Sequence, residues 1–212
     1  SASLGFGIDV GGNDNQDETN FVFPEEPAGG GPTLFRTFTF APFQAPNAVE
    51  VNADSQITLG SGPSTFELGS LTYTASGLTL TVDSADGGQM LEFTGNTTLA
   101  GGDNTLSTTN NADVTLNNVG GTGNLIKNGN GTLNLGTNNN TFTGQTQITD
   151  GVVNVSNSGG LGTAAGNTSV TGSSTLRLLN GIALADDVSI SGNVQGGGDE
   201  EAALFRKHAA YK

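Results

Sequence analysis

The chain contains no cysteine and no tryptophan, one histidine, and only six lysines and arginines among its 212 residues. Without cysteine it forms no disulfide and has no thiol nucleophile. Zinc sites need clusters of histidine or cysteine, which this sequence lacks. There is no Gly-x-Ser-x-Gly motif and no phosphate-binding Gly-x4-Gly-Lys-Ser/Thr loop, and the only histidine, His208, lies near the end of the chain. These absences exclude the common nucleophilic, zinc-dependent and nucleotide-dependent enzymes.

Positive charge is equally scarce, since the net charge is −14 and only Lys127 and Arg177 lie between Arg36 and Arg206. A nucleic-acid or anionic-membrane surface requires a basic stripe, so we expect neither partner. No apolar run approaches about 18 residues, and we therefore expect no membrane insertion. An acidic surface is typical of a secreted protein that meets water, cations or neutral glycans. The opening residues 1–3 are compatible with a processed terminus or with an arbitrary boundary.

Glycine, threonine, asparagine and serine are abundant instead and together make up 101 of the 212 residues. All four are poor helix formers. Leucine, isoleucine, valine and phenylalanine still number 50, which is enough for a hydrophobic core. The composition therefore predicts an all-β protein.

Short apolar alternations bounded by glycine and asparagine recur between residues 51 and 193. The clearest strand cores are Leu91-x-Phe93, Val114-x-Leu116, Leu133-x-Leu135, Val153-x-Val155 and Leu176-x-Leu178. Their second members follow one another at steps of 23, 19, 20 and 23 residues. A repeat of this length is typical of a solenoid, in which each coil stacks on the next.

The β-solenoid explains the unusual composition. Leucine, valine, isoleucine and phenylalanine face inward, threonine and serine face outward, and glycine and asparagine form the corners, where asparagine side chains hydrogen-bond in ladders. About seven coils fit into residues 51–193, which gives a rod of roughly 30–35 Å at about 4.8 Å per coil. An antiparallel β-sandwich is the alternative, because its strands also alternate and turn at short intervals.

The segment Gly129–Val155 reads GNGTLNLGTNNNTFTGQTQITDGVVNV, and related residues precede it at 124–129 and follow it at 160–162 and 174–178. This stretch resembles the autotransporter-associated β-strand repeat, with its G-x-G-T-L-x-L strand, N-x-[YF]-x-G-x-T segment and G-x-L-x-V strand. The resemblance covers about residues 119–192. It implies a right-handed parallel β-helix on a bacterial surface or in a secreted protein, and it implies no catalytic residues.

Two further regions flank the predicted solenoid. Residues 1–50 are rich in phenylalanine and proline and are predicted to be an extended segment, with its best strand at 33–40. Residues 194–212 combine a glycine linker with a short helix predicted from Asp199 to Lys212, which Asp199 caps.

Apolar side chains in both flanking regions are candidate assembly residues. We expect them to cap the solenoid ends or to dock on another copy of the chain, giving a homopolymer. These residues are Phe35, Phe38, Phe40, Phe43, Leu204, Phe205 and Tyr211.

Carboxylates are the remaining candidates for chemistry. Asp83 with Asp86 and Asp186 with Asp187 are the only close pairs in the repeat region, and neither pair has a basic neighbour in sequence. We expect solvated turns here rather than a catalytic pair.

The segment around Asn13, Asn15 and Asp17 offers alternating oxygen ligands, as the start of a calcium loop does. The expected glycine and bidentate glutamate are replaced by Glu18 and Pro24, so weakly bound calcium and a solvated turn are the two interpretations. No other cofactor is expected.

The sequence thus predicts a non-enzymatic extracellular or cell-surface protein, either a self-associating fibre subunit or an adhesin or stalk with surface or glycan contacts. The alternative is a β-helix that binds carbohydrate or degrades polysaccharide.

Overall fold

The computed structural model describes residues 37–40, 47–61, 64–135, 140–184 and 186–196, with 37–40 as backbone only. All regular elements in this part of the chain are β-strands, as predicted, and it contains no helix that could cross a membrane. The strands are β1 (Thr37–Phe40), β2 (Val49–Val51), β3 (Ser55–Leu59), β4 (Thr65–Leu68), β5 (Leu71–Tyr73), β6 (Leu78–Ser84), β7 (Met90–Leu99), β8 (Asp103–Thr109), β9 (Asp113–Gly121), β10 (Asn124–Asn128), β11 (Thr132–Leu135), β12 (Thr146–Ile148), β13 (Val152–Val155), β14 (Thr168–Val170), β15 (Thr175–Leu178), β16 (Val188–Ile190) and β17 (Asn193–Gly196).

The strands form two sheets in which the paired neighbours are parallel. Sheet A has the order β1-β3-β6-β8-β10-β12-β14-β16, and sheet B has the order β17-β15-β13-β11-β9-β7-β5-β2, with β4 also paired to β7. From β6 onward, consecutive strands alternate between the sheets, so the chain winds as a parallel β-solenoid of about six turns. The predicted solenoid is confirmed and the antiparallel sandwich is wrong, while the right-handed sense stays a prediction.

The register of sheet B reproduces the repeat that the sequence predicts. Phe93 pairs with Leu116, Leu116 with Leu135, Leu135 with Val155, and Val155 with Leu178. All five side chains are buried in the interior. The steps of 23, 19, 20 and 23 residues are therefore single turns of the solenoid, and the predicted inward column is confirmed.

Each coil has a third side, which is formed by the bent part of sheet B. Strand β7 shifts register after Phe93; its first part pairs with β4 and its last part pairs with β5. Beyond β9 this side continues through single hydrogen bonds. The Thr141 N–H donates to the Val119 carbonyl at 2.8 Å, and the Thr163 N–H donates to the Phe142 carbonyl at 3.0 Å.

The first strand comes from the predicted N-terminal segment. Strand β1 runs parallel to β3, with Thr37 opposite Gln56 and Phe40 opposite Leu59, and so lies at the edge of sheet A. Part of the strand predicted at 33–40 is thereby confirmed. The predicted helix at 199–212 lies outside the described residues, and the boundaries of the three predicted regions stay predictions.

Candidate functional site

The repeat segment Gly129–Val155 makes one full coil, from β11 through a stretch of the third side and β12, and ends with β13, which belongs to the next coil and stacks on β11. Period-two alternation turns its apolar residues inward. Its fully buried apolar side chains are Leu133, Leu135, Phe142, Ile148, Val153 and Val155. These six apolar side chains therefore build the core, and none of them is available to a site on the surface.

Glycine in the repeat permits close contact between neighbouring coils. A Cβ placed on Gly144 would lie 2.1 Å from the Gly123 carbonyl oxygen, and one placed on Gly166 would lie 2.1 Å from the Gly144 carbonyl oxygen. No side chain fits at such distances from backbone. The three glycines thus form a corner at which three successive coils touch through their main chains.

Asn140, the asparagine of the N-x-[YF] segment, joins three coils with one side chain. It is buried; its Oδ1 accepts from the Val119 N–H at 2.8 Å and its Nδ2 donates to the Gly160 carbonyl at 2.6 Å. Val119 belongs to the preceding coil and Gly160 to the next. The amide satisfies backbone groups that would otherwise be buried without partners, so its role here is structural.

Lys127 occupies an inward position of sheet A that is apolar in the neighbouring coils. In that column it lies between Leu106 and Ile148, and Val170 follows. Its side chain is fully buried. A lysine in such a column is unusual because desolvation penalises its charge.

Backbone carbonyls surround the buried ammonium group. Lys127 Nζ donates to the carbonyls of Asn128 at 2.8 Å, Gly129 at 2.7 Å and Asp150 at 3.4 Å. Burial lowers the pKa of Lys127 to about 8, and the negative charges of Asp150 and Asp113 offset part of that shift. The three acceptors lie on two successive coils, so the ammonium group links the corners of both.

The outer face of sheet B carries polar side chains that bond from one coil to the next. Asn154 Nδ2 donates to Asn134 Oδ1 at 2.8 Å, and Asn134 Nδ2 donates to Thr115 Oγ1 at 3.5 Å. One coil further, Arg177 Nη2 donates to Gln195 Oε1 at 3.3 Å. Asparagine side chains therefore do hydrogen-bond from coil to coil, but Asn134 and Asn154 lie on the outer face of strands β11 and β13 and not at the corners, where the sequence predicted such ladders.

Two of the carboxylates that were considered for catalysis accept hydrogen bonds from uncharged side chains. Asp83 Oδ1 accepts from Thr109 Oγ1 at 2.6 Å and from Asn110 Nδ2 at 2.7 Å, both on the next coil. Asp186 Oδ2 accepts from Thr168 Oγ1 at 3.4 Å. Within the described ranges, no group of three or more acidic or histidine side chains could hold a metal ion.

The expectation of solvated turns holds for Asp86 and Asp187, which are exposed, but it is wrong for Asp83, which lies half-buried in β6, and for Asp186. Asp186 is only 3% exposed, because its turn folds against the preceding coil at Thr168. Since Lys127 is buried, it cannot line a surface groove together with these carboxylates.

Several predicted site residues lie outside the described part of the chain. Strand β1 includes the backbone of Phe38 and Phe40, and their side chains are not among the described ones. The others that lie outside are Asn13, Asn15, Asp17, Phe35, Phe43, Leu204, Phe205 and Tyr211.

Sequence reasoning did not single out Lys127 or Asn140. The sequence did contain a signal that the Lys127 side chain faces inward. Lys127 follows Leu125 by two residues, the period of a strand, and it is 21 residues, about one turn, from both Leu106 and Ile148. Asn140 gave no such signal, because its partners are backbone groups of other coils.

Comparison with known families agrees with this geometry. Residues 125–155 match the family model described as passenger-associated-transport-repeat. No curated protein and no solved structure matches the chain. The match lies within the span of the predicted resemblance and covers the coil that contains Lys127, Asn140 and Gly144, so the resemblance to the autotransporter-associated repeat is confirmed for residues 125–155.

Proposed function

We propose that this protein is a non-enzymatic extracellular rod, a stalk-like passenger segment on a bacterial surface. The matched repeat and the β-solenoid fit an autotransporter passenger domain. The observation that carries the proposal is that polar side chains of the repeat bond to neighbouring coils. Lys127, Asn140 and Asn154 each bond to a neighbouring coil, so these groups hold the rod together.

A rod of this kind acts as a spacer. About six turns at about 4.8 Å per turn give a length of roughly 30 Å. Parallel coils with hydrogen bonds across every interface resist bending, and repetition of the unit extends the reach without a new core. Self-association into a fibre is the second form of this proposal, and it requires an end strand that no segment of its own chain covers, because only such a strand offers free backbone groups to a further chain.

Contact with glycans through a sugar platform has less support. Such platforms use exposed aromatic rings. The four aromatic side chains that the structure describes are Phe66, Tyr73, Phe93 and Phe142, and none is more than 6% exposed. Tyr73 directs its hydroxyl inward and donates to the Thr105 carbonyl at 2.9 Å.

Two measurements on the purified full chain test the proposal. Negative-stain microscopy with sedimentation velocity should show rods or end-to-end filaments, and assays on acidic polysaccharides should release no reducing sugar. Compact, non-rod particles would contradict the stalk. Release of sugar that Asp186→Asn or Asp187→Asn abolishes, with Asp54→Asn as a matched control at another carboxylate, would establish the enzyme instead.

A further inference from the structure

The last coil presents apolar interior positions that the rest of the solenoid keeps covered. Val188 and Ile190 of β16 are partly exposed, whereas their register partners in the preceding coil, Thr168 and Val170, are fully buried. The end surface is defined as Ile182, Val188, Ile190 and Val194, all partly buried and packed on one side against the core.

The backbone of the same coil is unpaired on its outer side within the described part of the chain. Strands β16 and β17 are the terminal strands of sheets A and B. Each has a parallel neighbour on one side, β14 for β16 and β15 for β17. A terminal strand with free N–H and C=O groups invites pairing unless a helix or loop covers it.

We propose that residues 199–212 of the same chain dock on this end surface and close the solenoid. The chain leaves β17 at Gly196, directly at the open end, and only residues 197–198 separate it from the predicted helix. A tether this short holds the segment at an effective concentration in the millimolar range. A second copy of the chain must compete against that concentration.

The size and pattern of the segment fit the surface. Fourteen helical residues span about 21 Å. The three- and four-residue strands of the last coil measure about 10–13 Å, so the helix is long enough to reach across either strand. At helical spacing Leu204, Phe205, His208 and Tyr211 share one face, which gives an apolar stripe for the end surface.

The distribution of charge within the segment is compatible with the same occupant. Residues 199–212 have no net charge, but Asp199, Glu200 and Glu201 begin the segment, whereas Arg206, Lys207 and Lys212, half of all the basic residues in the chain, lie in its second half. The coil that they would cover carries the exposed Asp187, and the protein as a whole has a net charge of −14.

Hydrogen exchange of the full chain at two concentrations tests the assignment. In the wild type the amides of residues 188–196 should be protected, and the protection should not depend on protein concentration. The variant Leu204→Asp/Phe205→Asp places two charges on the docking face and should speed exchange of these amides at least tenfold. The matched control Ala202→Asp/Ala210→Asp adds the same charge to the opposite face and should leave the exchange unchanged.

Circular dichroism of each variant should show that the solenoid remains folded. Equal exchange at 188–196 in the wild type and in the docking-face variant would overturn the proposal. Protection that appears only at high concentration, together with oligomers in sedimentation, would assign the end surface to a second copy and would also overturn docking within one chain. Neither outcome bears on whether the rod is an enzyme, so the proposed function is tested separately.

Discussion

The buried ammonium group of Lys127 leads to a prediction about stability and pH. Replacing the residue with methionine keeps an unbranched side chain in the column between Leu106 and Ile148 and removes the charge. The two short hydrogen bonds to the carbonyls of Asn128 and Gly129 are then lost. Hydrogen bonds from a charged donor contribute about 1.5–3 kcal/mol each, or about 3–6 kcal/mol together.

Relief of the buried charge offsets part of that loss. The pKa of Lys127 falls from 10.5 to about 8 on folding. At about 1.4 kcal/mol per pKa unit, burying the charged form costs about 3 kcal/mol at neutral pH. We therefore expect Lys127→Met to lower the free energy of unfolding at pH 7 by about 0–3 kcal/mol, the difference between these two terms.

The pH dependence separates the lysine from an ordinary packing change. Between pH 8 and 10 the unfolded chain keeps the Lys127 proton while the folded chain releases it, so the free energy of unfolding rises with pH. The gain should reach about 2–3 kcal/mol by pH 10. Lys127→Met should lack this gain, and Ile148→Met, a conservative change in the same column, should retain it.

Urea unfolding followed by circular dichroism at pH 7, 8, 9 and 10 measures these free energies. Above pH 10 a second group acts in the opposite direction, because burial raises the pKa of Tyr73 well above its ordinary value. The unfolded chain then loses the tyrosine proton first and stability falls, so Tyr73→Phe serves as the control in that range. Identical pH profiles for the wild type and Lys127→Met would refute the reasoning.

Three substitutions test the contacts between coils, each by thermal or urea unfolding. Gly144→Ala should prevent stable folding or cost more than about 3 kcal/mol, because its Cβ would meet the Gly123 carbonyl oxygen of the preceding coil at 2.1 Å; Gly101→Ala, whose nearest neighbour would be 3.5 Å away, should be close to neutral. Asn140→Ala should cost about 2–5 kcal/mol, because it leaves a buried N–H and a buried carbonyl without partners; a loss below about 0.5 kcal/mol would show that they bond elsewhere. Leu135→Asp should cost several kcal/mol and make the rod protease-sensitive. The outward-facing Thr132→Asp on the same strand, whose new charge would stand opposite Asp113, should cost about 1 kcal/mol or less and leave the rod resistant, so equal resistance of both variants would contradict the register.

The repeat and the inward column could be predicted from the sequence because they depend on local rules. Alternation along a strand decides which side chains face inward, and the spacing from Leu116 to Leu135 and Val155 then counts one turn each. The same rules predicted that asparagine side chains bond from coil to coil, as Asn154 and Asn134 do, although this pair lies on the strand face and not at a corner. Each of these features needs only the chain's own period to be recognised.

The roles of Lys127 and Asn140 were decided by the tertiary structure, because their partners are backbone groups on other coils. Nothing in the sequence near Asn140 marks the Val119 N–H or the Gly160 carbonyl, each about 20 residues away, as groups that need a partner. For Lys127, alternation predicts an inward side chain, and ordinary preference predicts that a charged one avoids the core. Only the stacked corners, which direct three carbonyls at one point, make burial of the ammonium group tolerable. The period of the sequence determines which residues face inward. Which backbone groups need a side-chain partner is determined only when the coils stack and bring those groups next to Lys127 and Asn140.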